Sequence, residues 1–175
     1  MFSIKEWIDG RKAVEMPSDF FQGACDVHAH LIPGVDDGLK TAEETADALQ
    51  WYKDAGFNAV TATPHFMTDT ANSEDEIRAA FSRIVPPEGL KFALAGEYMI
   101  DDDFAGHLSD GPLTFADRHL LIETSYVYRL PNFYDIMFDI SLAGYHPVVA
   151  HPERYAYATE KTYDHLADIS CPLQL

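Results

Sequence analysis

Short apolar segments alternate with helical segments along most of the chain, and this alternation restricts the fold more than any other feature. Each apolar segment is apolar on both faces and too short for a buried helix, as in the strands of parallel sheets. Helix signals lie between them, including capping boxes at Thr41 with Glu44 and at Ser73 with Glu76. The sequence therefore predicts an α/β fold, a parallel sheet or barrel of βα units. The predicted strands are GACDVH, FNAVTAT, KFALAG, HLLIETS, HPVVAH and CPLQL, and helices are predicted over residues 41–56, 73–85, 101–108, 132–144 and 160–169.

The chain length of 175 residues suits one domain with a hydrophobic core. We expect residues 1–22 to form an amphipathic lead-in that ends in a turn near Pro17, and residues 23–175 to form the domain. The chain has 29 acidic and 12 basic residues, a formal net charge of −17. Such a surface repels phosphate backbones, so we do not expect a nucleic acid partner.

The two cysteines, Cys25 and Cys171, lie in apolar segments without metal-binding spacing, so we expect buried, reduced thiols. The first residues lack the apolar core of a signal peptide, and no later segment reaches the roughly 18 apolar residues of a membrane span. The sequence therefore predicts a soluble cytoplasmic protein.

A histidine or glutamate stands at the end of each of the first five predicted strands. Because barrel enzymes place their sites at the carboxyl ends of their strands, we expect these side chains to share one site. Four other histidines lie in predicted helices or at the start of predicted strands, where surface or capping roles are expected. The candidate site residues are His28, His30, His65, Glu97, Glu123 and His151, and the excluded histidines are His107, His119, His146 and His165.

The mixture of imidazoles and carboxylates indicates a metal site. This donor set suits zinc, manganese and iron, whereas a magnesium site would contain fewer histidines. Carboxylates can bridge two ions, so a multinuclear cluster is predicted. Such a cluster lowers the pKa of a bound water and neutralises charge on an oxyanion.

Taken in order, the segments HAH, DDG, TPH, GEY, IET and HPER resemble the PHP superfamily of metal-dependent phosphoesterases. They are most similar to bacterial tyrosine-protein phosphatases of the CpsB/YwqE type, which belong to capsule and exopolysaccharide systems. The resemblance implies a distorted (β/α)7 PHP-type barrel that holds up to three divalent ions, manganese first, with iron or zinc as alternatives.

The resemblance also implies a role for each matching residue. One ion would be held by His28, His30 and Glu97; a second by Glu97, Glu123 and His151; a third by His65 and one carboxylate of Asp36 and Asp37, with Asp37 preferred. Arg154 would grip the phosphoryl oxygens as a catalytic and substrate-binding residue, a task that suits a guanidinium fork.

Two features depart from the family pattern. Phe66 stands where members commonly have a second histidine after TPH, which we interpret as the loss of a neighbouring residue and not of a ligand. The family pattern also continues beyond Leu175 to an Asp-x-His segment, so the sequence predicts a barrel without its last strands. An unpaired final strand would favour self-association through the open sheet edge.

The predicted function is metal-dependent hydrolysis of a phosphomonoester, with a phosphotyrosine protein as substrate, such as a bacterial tyrosine kinase of capsule biosynthesis. One alternative is a phosphatase of a small monoester such as histidinol phosphate. The other is an inactive, truncated remnant that acts by binding only. Tyr126, Tyr128 and Arg129 follow the fourth predicted strand and are candidates to shape a substrate cleft.

Overall fold

The structure is a computed structural model that describes residue 17, residues 19–70 and residues 73–175. Most of the predicted lead-in over residues 1–22, including part of its turn, lies outside the described residues. The strands are β1 Cys25–Ala29, β2 Ala59–Ala62, β3 His65–Phe66, β4 Lys91–Leu94, β5 Glu97–Met99, β6 His119–Glu123, β7 His146–Ala150 and β8 Leu173–Gln174. The helices are α1 Ala42–Ala55, α2 Glu74–Phe81, α3 Phe104–Asp110, α4 Phe133–Leu142 and α5 Glu160–Asp168, and a 3₁₀ turn covers Pro152–Arg154.

The strands form two parallel sheets. One has the order β1-β2-β4, and the other has the order β3-β5-β6-β7-β8. Every strand pair in both sheets is parallel. The predicted α/β fold with parallel strands is therefore confirmed.

Two of the predicted strands were wrong in extent, because the chain passes from one sheet to the other after each of them. After β2 the chain continues through Pro64 into β3, and after β4 it continues through Gly96 into β5. A Cβ atom on Gly96 would lie 2.6 Å from Tyr98 Cε2 and 2.8 Å from Phe66 Cδ2. Glycine therefore allows this crossing where a larger residue would collide with the core.

The helix signals of the sequence agree with the structure. Thr41 Oγ1 accepts from Glu44 N at 3.2 Å, and Thr41 N donates to Glu44 Oε2 at 3.0 Å, which completes the capping box of α1. Ser73 and Glu76 make the same reciprocal bonds at the start of α2. Gly56 ends α1 with a left-handed backbone, at φ 96°.

The hydrophobic core lies between the sheets and the helices. Phe133, Met137 and Ile140 of α4 are buried in it, as the periodicity of that helix predicts. The same periodicity also includes Leu142 and predicts its burial, but this side chain is 75% exposed. Cys25 is exposed at the start of β1, so the expected burial of its thiol was wrong. Cys171 is buried and unpaired. No helix in the described part of the chain is long and apolar enough to cross a membrane.

Candidate metal centre

The structure brings the predicted site residues together. Histidines at the end of β1, at the start of β3 and directly after β7 surround glutamates of β5 and β6. They line or lie beside one cavity of about 480 Å³. The residues that meet there are His28, His30, Asp37, His65, Glu97, Glu123, His151 and Arg154.

Glu97 is the centre of this arrangement. Its side chain is fully buried, and its Oε2 lies 3.2 Å from His28 Nε2, 3.3 Å from His30 Nε2 and 3.1 Å from His65 Nδ1. Its Oε1 lies 2.7 Å from His151 Nε2. One buried carboxylate thus faces four imidazoles, which suits a group shared between ions.

Glu123 contacts two of the imidazoles that also face Glu97, those of His65 and His151. Its Oε1 is 2.9 Å from His65 Nδ1, and its Oε2 is 3.6 Å from His151 Nε2. The Tyr126 hydroxyl donates to Glu123 Oε2 at 3.2 Å. Burial and the Glu123 charge raise the pKa of Tyr126, so its hydroxyl stays protonated at neutral pH.

The two aspartates of the DDG segment have different positions. Asp36 Oδ2 accepts from His30 Nδ1 at 2.7 Å, while its Oδ1 accepts from Gly38 N at 2.9 Å. Asp37 is exposed, and its Oδ1 lies 3.5 Å from His65 Nε2. Asp36 therefore orients an imidazole from behind, whereas Asp37 lines the cavity; the preference for Asp37 as the ligand stays a prediction.

Gly38 allows the DDG loop to fold back onto β1. A Cβ atom at this position would lie 2.4 Å from both the Cβ and the carbonyl oxygen of His30. No side chain fits in that space, so the glycine brings the preceding aspartates beside the imidazoles.

Gln174 is a site residue that the sequence reasoning missed. Its Oε1 lies 2.6 Å from His28 Nδ1, so this carbonyl accepts the Nδ1 proton and directs Nε2 toward Glu97. The parallel pairing of β7 with β8, in which Ala150 faces Gln174, places it there. No sequence signal identifies it, because the contact depends on strand register.

The loop after β7 positions His151 and Arg154. His151 is buried, with a left-handed backbone at φ 32° and ψ 53°, which is uncommon for a residue with a side chain. This conformation turns the chain directly into the 3₁₀ turn that carries Arg154, an exposed residue in the cavity wall. The turn thus places a guanidinium beside the cluster.

Phe66 does not face the cavity. Its side chain is buried and stacks on Tyr98, with ring centroids 4.6 Å apart. Because neighbouring residues of a strand point to opposite faces, His65 lies in the cavity while Phe66 lies in the core.

Opposite charges perturb the titration of the cluster. Burial opposes the ionised form of Glu97, but the imidazoles of His151, His28 and His30 outweigh it and hold the Glu97 pKa far below its usual range. Burial lowers the pKa of His30, yet contacts with Asp36 and Glu97 raise it to about 10. The neighbouring Glu123 and Glu97 carboxylates likewise raise the pKa of His65 against the effect of burial.

The spacing of the donor atoms suits ligands of a shared divalent cation better than it suits hydrogen bonds between the side chains. His65 Nδ1, Glu97 Oε2 and Glu123 Oε1 are buried and have no hydrogen-bond partner within the described residues. His65 Nδ1 nevertheless lies 3.1 Å from Glu97 Oε2 and 2.9 Å from Glu123 Oε1. Ligand atoms about 2.1 Å from a shared ion are separated by roughly 3.0–3.4 Å. In the described part of the chain, three groups have donor atoms close enough to hold an ion: His28, His30 and Glu97; His30, Asp37 and His65; His65, Glu97 and Glu123.

Two observations define the class of this protein. Its strands are parallel and mostly alternate with helices, and histidines and carboxylates cluster in a candidate multinuclear metal centre. The family model for capsular polysaccharide synthesis, CpsB/CapC, matches residues 24–175. The chain therefore belongs to the CpsB/CapC family.

Relatives and a solved structure agree with this membership. Tyrosine-protein phosphatase YwqE of Bacillus subtilis is 30% identical over 146 residues, which cover 74% of this chain and 54% of YwqE. Tyrosine-protein phosphatase CpsB of Streptococcus agalactiae is 27% identical over 138 residues, which cover 74% of this chain and 57% of CpsB. The chain thus spans about half the length of the curated relatives it matches.

The fold has a solved counterpart. It is one of the "Crystal structures of YwqE from Bacillus subtilis and CpsB from Streptococcus pneumoniae, unique metal-dependent tyrosine phosphatases". This structure matches with a TM-score of 0.63 and 25% identity, covering 74% of this chain and 56% of that chain.

Proposed function

We propose that the chain contributes the metal centre of a phosphomonoesterase that removes phosphate from phosphotyrosine in a protein. The observation that carries the proposal is the buried Glu97 carboxylate, which faces four imidazoles and keeps an oxygen without a hydrogen bond. The names of the relatives support phosphotyrosine as the substrate. The family description supports a role in capsular polysaccharide synthesis, and a bacterial tyrosine kinase of capsule or exopolysaccharide synthesis is the target that we propose.

The cluster would hold up to three divalent ions, with manganese preferred and iron or zinc as alternatives. We assign one ion to His28, His30 and Glu97, a second to Glu97, Glu123 and His151, and a third to His65 and Asp37. When bound, such ions lower the pKa of a water molecule and neutralise charge on phosphoryl oxygens.

The protein's own residues would bind and orient the phosphate. Arg154 is exposed in the cavity wall, where its guanidinium can pair with two phosphoryl oxygens. Tyr126 keeps its proton and lines the same cavity, so it can donate to a phosphoryl oxygen or pack against the substrate ring. The leaving phenolate is stable enough to depart with little help from a general acid.

Three further predictions belong to this proposal. We infer that the two sheets form part of a distorted (β/α)7 barrel of the PHP type, with the cluster at its carboxyl end. We also retain residues 23–175 as one domain. A cytoplasmic location and self-association through the sheet edge at β8 stay predictions.

Metal analysis combined with hydrolysis tests the function. We expect bound metal, hydrolysis of p-nitrophenyl phosphate that chelation abolishes, and faster turnover of a phosphotyrosine peptide than of histidinol phosphate. His151→Ala should remove bound metal and lower hydrolysis at least about 100-fold, because the site loses an imidazole that faces Glu97. His146→Ala is the matched control, since that histidine is exposed and does not line the cavity.

Other outcomes separate the alternatives. Faster turnover of histidinol phosphate would favour a small-molecule phosphatase. A chain that retains its fold but neither binds metal nor hydrolyses any phosphate ester would favour a protein that acts by binding only. Unchanged metal content and rate in His151→Ala would contradict the assigned cluster.

A further inference from the structure

A second cavity, of about 340 Å³, is lined by cations, hydroxyls and aromatic rings. No carboxylate-bearing residue lines it, although acidic residues outnumber basic ones by 29 to 12 in the chain. We call this cavity the cationic pocket. Its lining includes Arg129, Lys161, His165, Tyr134, Tyr157 and Thr159.

The two long cationic side chains of the pocket form no ion pair within 4 Å among the described residues. Within the described part of the chain, one ion pair contains an arginine or lysine, and it joins Arg78 to Glu74. Arg129 and Lys161 therefore have no such partner. The Arg129 guanidinium instead lies 4.9 Å above the ring of Tyr134, a cation–π contact that holds the side chain in place. An acidic protein thus keeps free positive charge in one concave region.

The start of α5 lies at the pocket, and the acidic residue of its first turn, Glu160, does not line the pocket. Thr159 is the N-cap of this helix, and both Thr159 and Lys161 line the pocket. The amino end of a helix carries partial positive charge and backbone N–H groups that favour anions. The helix end, the two unpaired cations and the hydroxyls therefore all favour an anionic ligand.

A row of stacked tyrosines joins the pocket to the metal centre. Tyr157 of the pocket stacks on Tyr155 with ring centroids 5.7 Å apart, and Tyr155 stacks on Tyr126 at 6.1 Å. Tyr126 lines the metal cavity, and Arg129 lies on the same loop. An extended peptide spans about 3.3–3.6 Å per residue, so one peptide bound at the metal centre can reach the pocket within roughly four residues.

We propose that the cationic pocket binds an anionic side chain of the phosphoprotein substrate, three or four residues from the phosphotyrosine. The proposal rests on the proposed phosphatase function and adds a sequence preference to it. The ligand is an acidic residue or a second phosphorylated residue, since both present anionic oxygens to Arg129 and Lys161.

Peptide binding to the full chain with Mn²⁺ tests the proposal. Labelled peptides carry phosphonomethyl-phenylalanine, a phosphotyrosine analogue that resists hydrolysis. Three or four residues away, on either side, they carry glutamate, phosphotyrosine or glutamine. Fluorescence anisotropy then gives the dissociation constants. We expect the anionic peptides to bind roughly three- to tenfold more tightly than the glutamine peptide, as two partly exposed ion pairs allow.

Two double variants test whether the pocket causes the tighter binding of anionic peptides. Arg129→Ala/Lys161→Ala should abolish it, whereas the control Arg83→Ala/Lys91→Ala removes the same charge from exposed positions outside both cavities and should keep it. Preference for the doubly phosphorylated peptide alone would identify a second phosphorylated residue as the ligand and still support the pocket.

Two results would overturn the proposal: equal binding of all peptides by the parent chain, or a preference that survives in the Arg129→Ala/Lys161→Ala variant. Hydrolysis of p-nitrophenyl phosphate, measured in parallel, reports on the phosphatase function separately. Without hydrolysis the phosphatase proposal fails, while the binding preference still decides the role of the pocket.

Discussion

The core and the metal centre both contain buried polar groups, but the two regions differ in how completely these groups are paired. In the core, Thr45 Oγ1 donates to Leu31 O at 2.9 Å. Tyr98 OH accepts from Leu113 N at 2.7 Å. These bonds offset the cost of removing polar atoms from water.

At the metal centre, the hydrogen bonding of buried polar atoms is incomplete. Glu97 Oε2 and Glu123 Oε1 are buried without a hydrogen-bond partner within the described residues, and so is His65 Nδ1. A buried polar atom without a partner costs free energy, so such atoms concentrated in one place indicate a partner that the protein does not itself supply. The difference between the two regions thus separates residues that stabilise the fold from the residues to which we assign metal ions.

The largest expected effect is on metal affinity, and it distinguishes two adjacent residues: Glu97 in the metal centre and Tyr98 in the core. Glu97→Gln keeps the side-chain shape but removes the charge that faces four imidazoles, so we expect Mn²⁺ affinity to fall by at least about 100-fold. Tyr98→Phe leaves the Leu113 N–H without its partner, which should cost about 1–3 kcal/mol of unfolding free energy and leave Mn²⁺ affinity unchanged. Titration calorimetry and urea unfolding measure both quantities. If Glu97→Gln bound Mn²⁺ as tightly as the parent, Glu97 would not be a ligand.

A smaller effect distinguishes the two aspartates of the DDG segment. Asp37→Asn should reduce the number of bound ions, because Asp37 faces the cavity beside His65. Asp36→Asn should keep the number but weaken binding by about tenfold, since an amide still accepts from His30 but carries no charge. In the metal-free protein, Asp36→Asn should also lower the His30 pKa from about 10, because that carboxylate raises it.

Elemental analysis and an NMR titration of the histidine ring protons measure these outcomes. Loss of an ion in Asp36→Asn with full occupancy in Asp37→Asn would reverse the assignment of ligand and supporting residue.

The smallest expected effect concerns Gln174. Gln174→Leu removes the acceptor for His28 Nδ1, so we expect both neutral tautomers of His28 in the metal-free protein and Mn²⁺ affinity reduced tenfold or less. Gln174→Glu retains an acceptor and should preserve the Nδ1–H tautomer. The ¹⁵N chemical shifts of the His28 ring report the tautomer directly. An unchanged tautomer in Gln174→Leu would mean that the contact does not orient His28.

The sequence predicted the alternation of strands and helices, both capping boxes and the end of α1, because these features depend on residues close together in the chain. It also identified the histidines and glutamates that the structure brings together, since carboxyl ends of parallel strands share one edge. It did not predict the passages between sheets at Pro64 and Gly96, nor the exposure of Leu142. Those outcomes depend on which distant segments pack against each position.

The amino-acid sequence by itself determined which elements form and which donor groups stand at their ends. Only the tertiary structure decided that Asp36 lies behind His30 while Asp37 faces the cavity, and that Gln174 supports His28 from another strand. The reason is geometric. Strand periodicity is local, but strand register and loop direction arise from packing between segments far apart in the chain, and a shift of one residue reverses the face to which a side chain points.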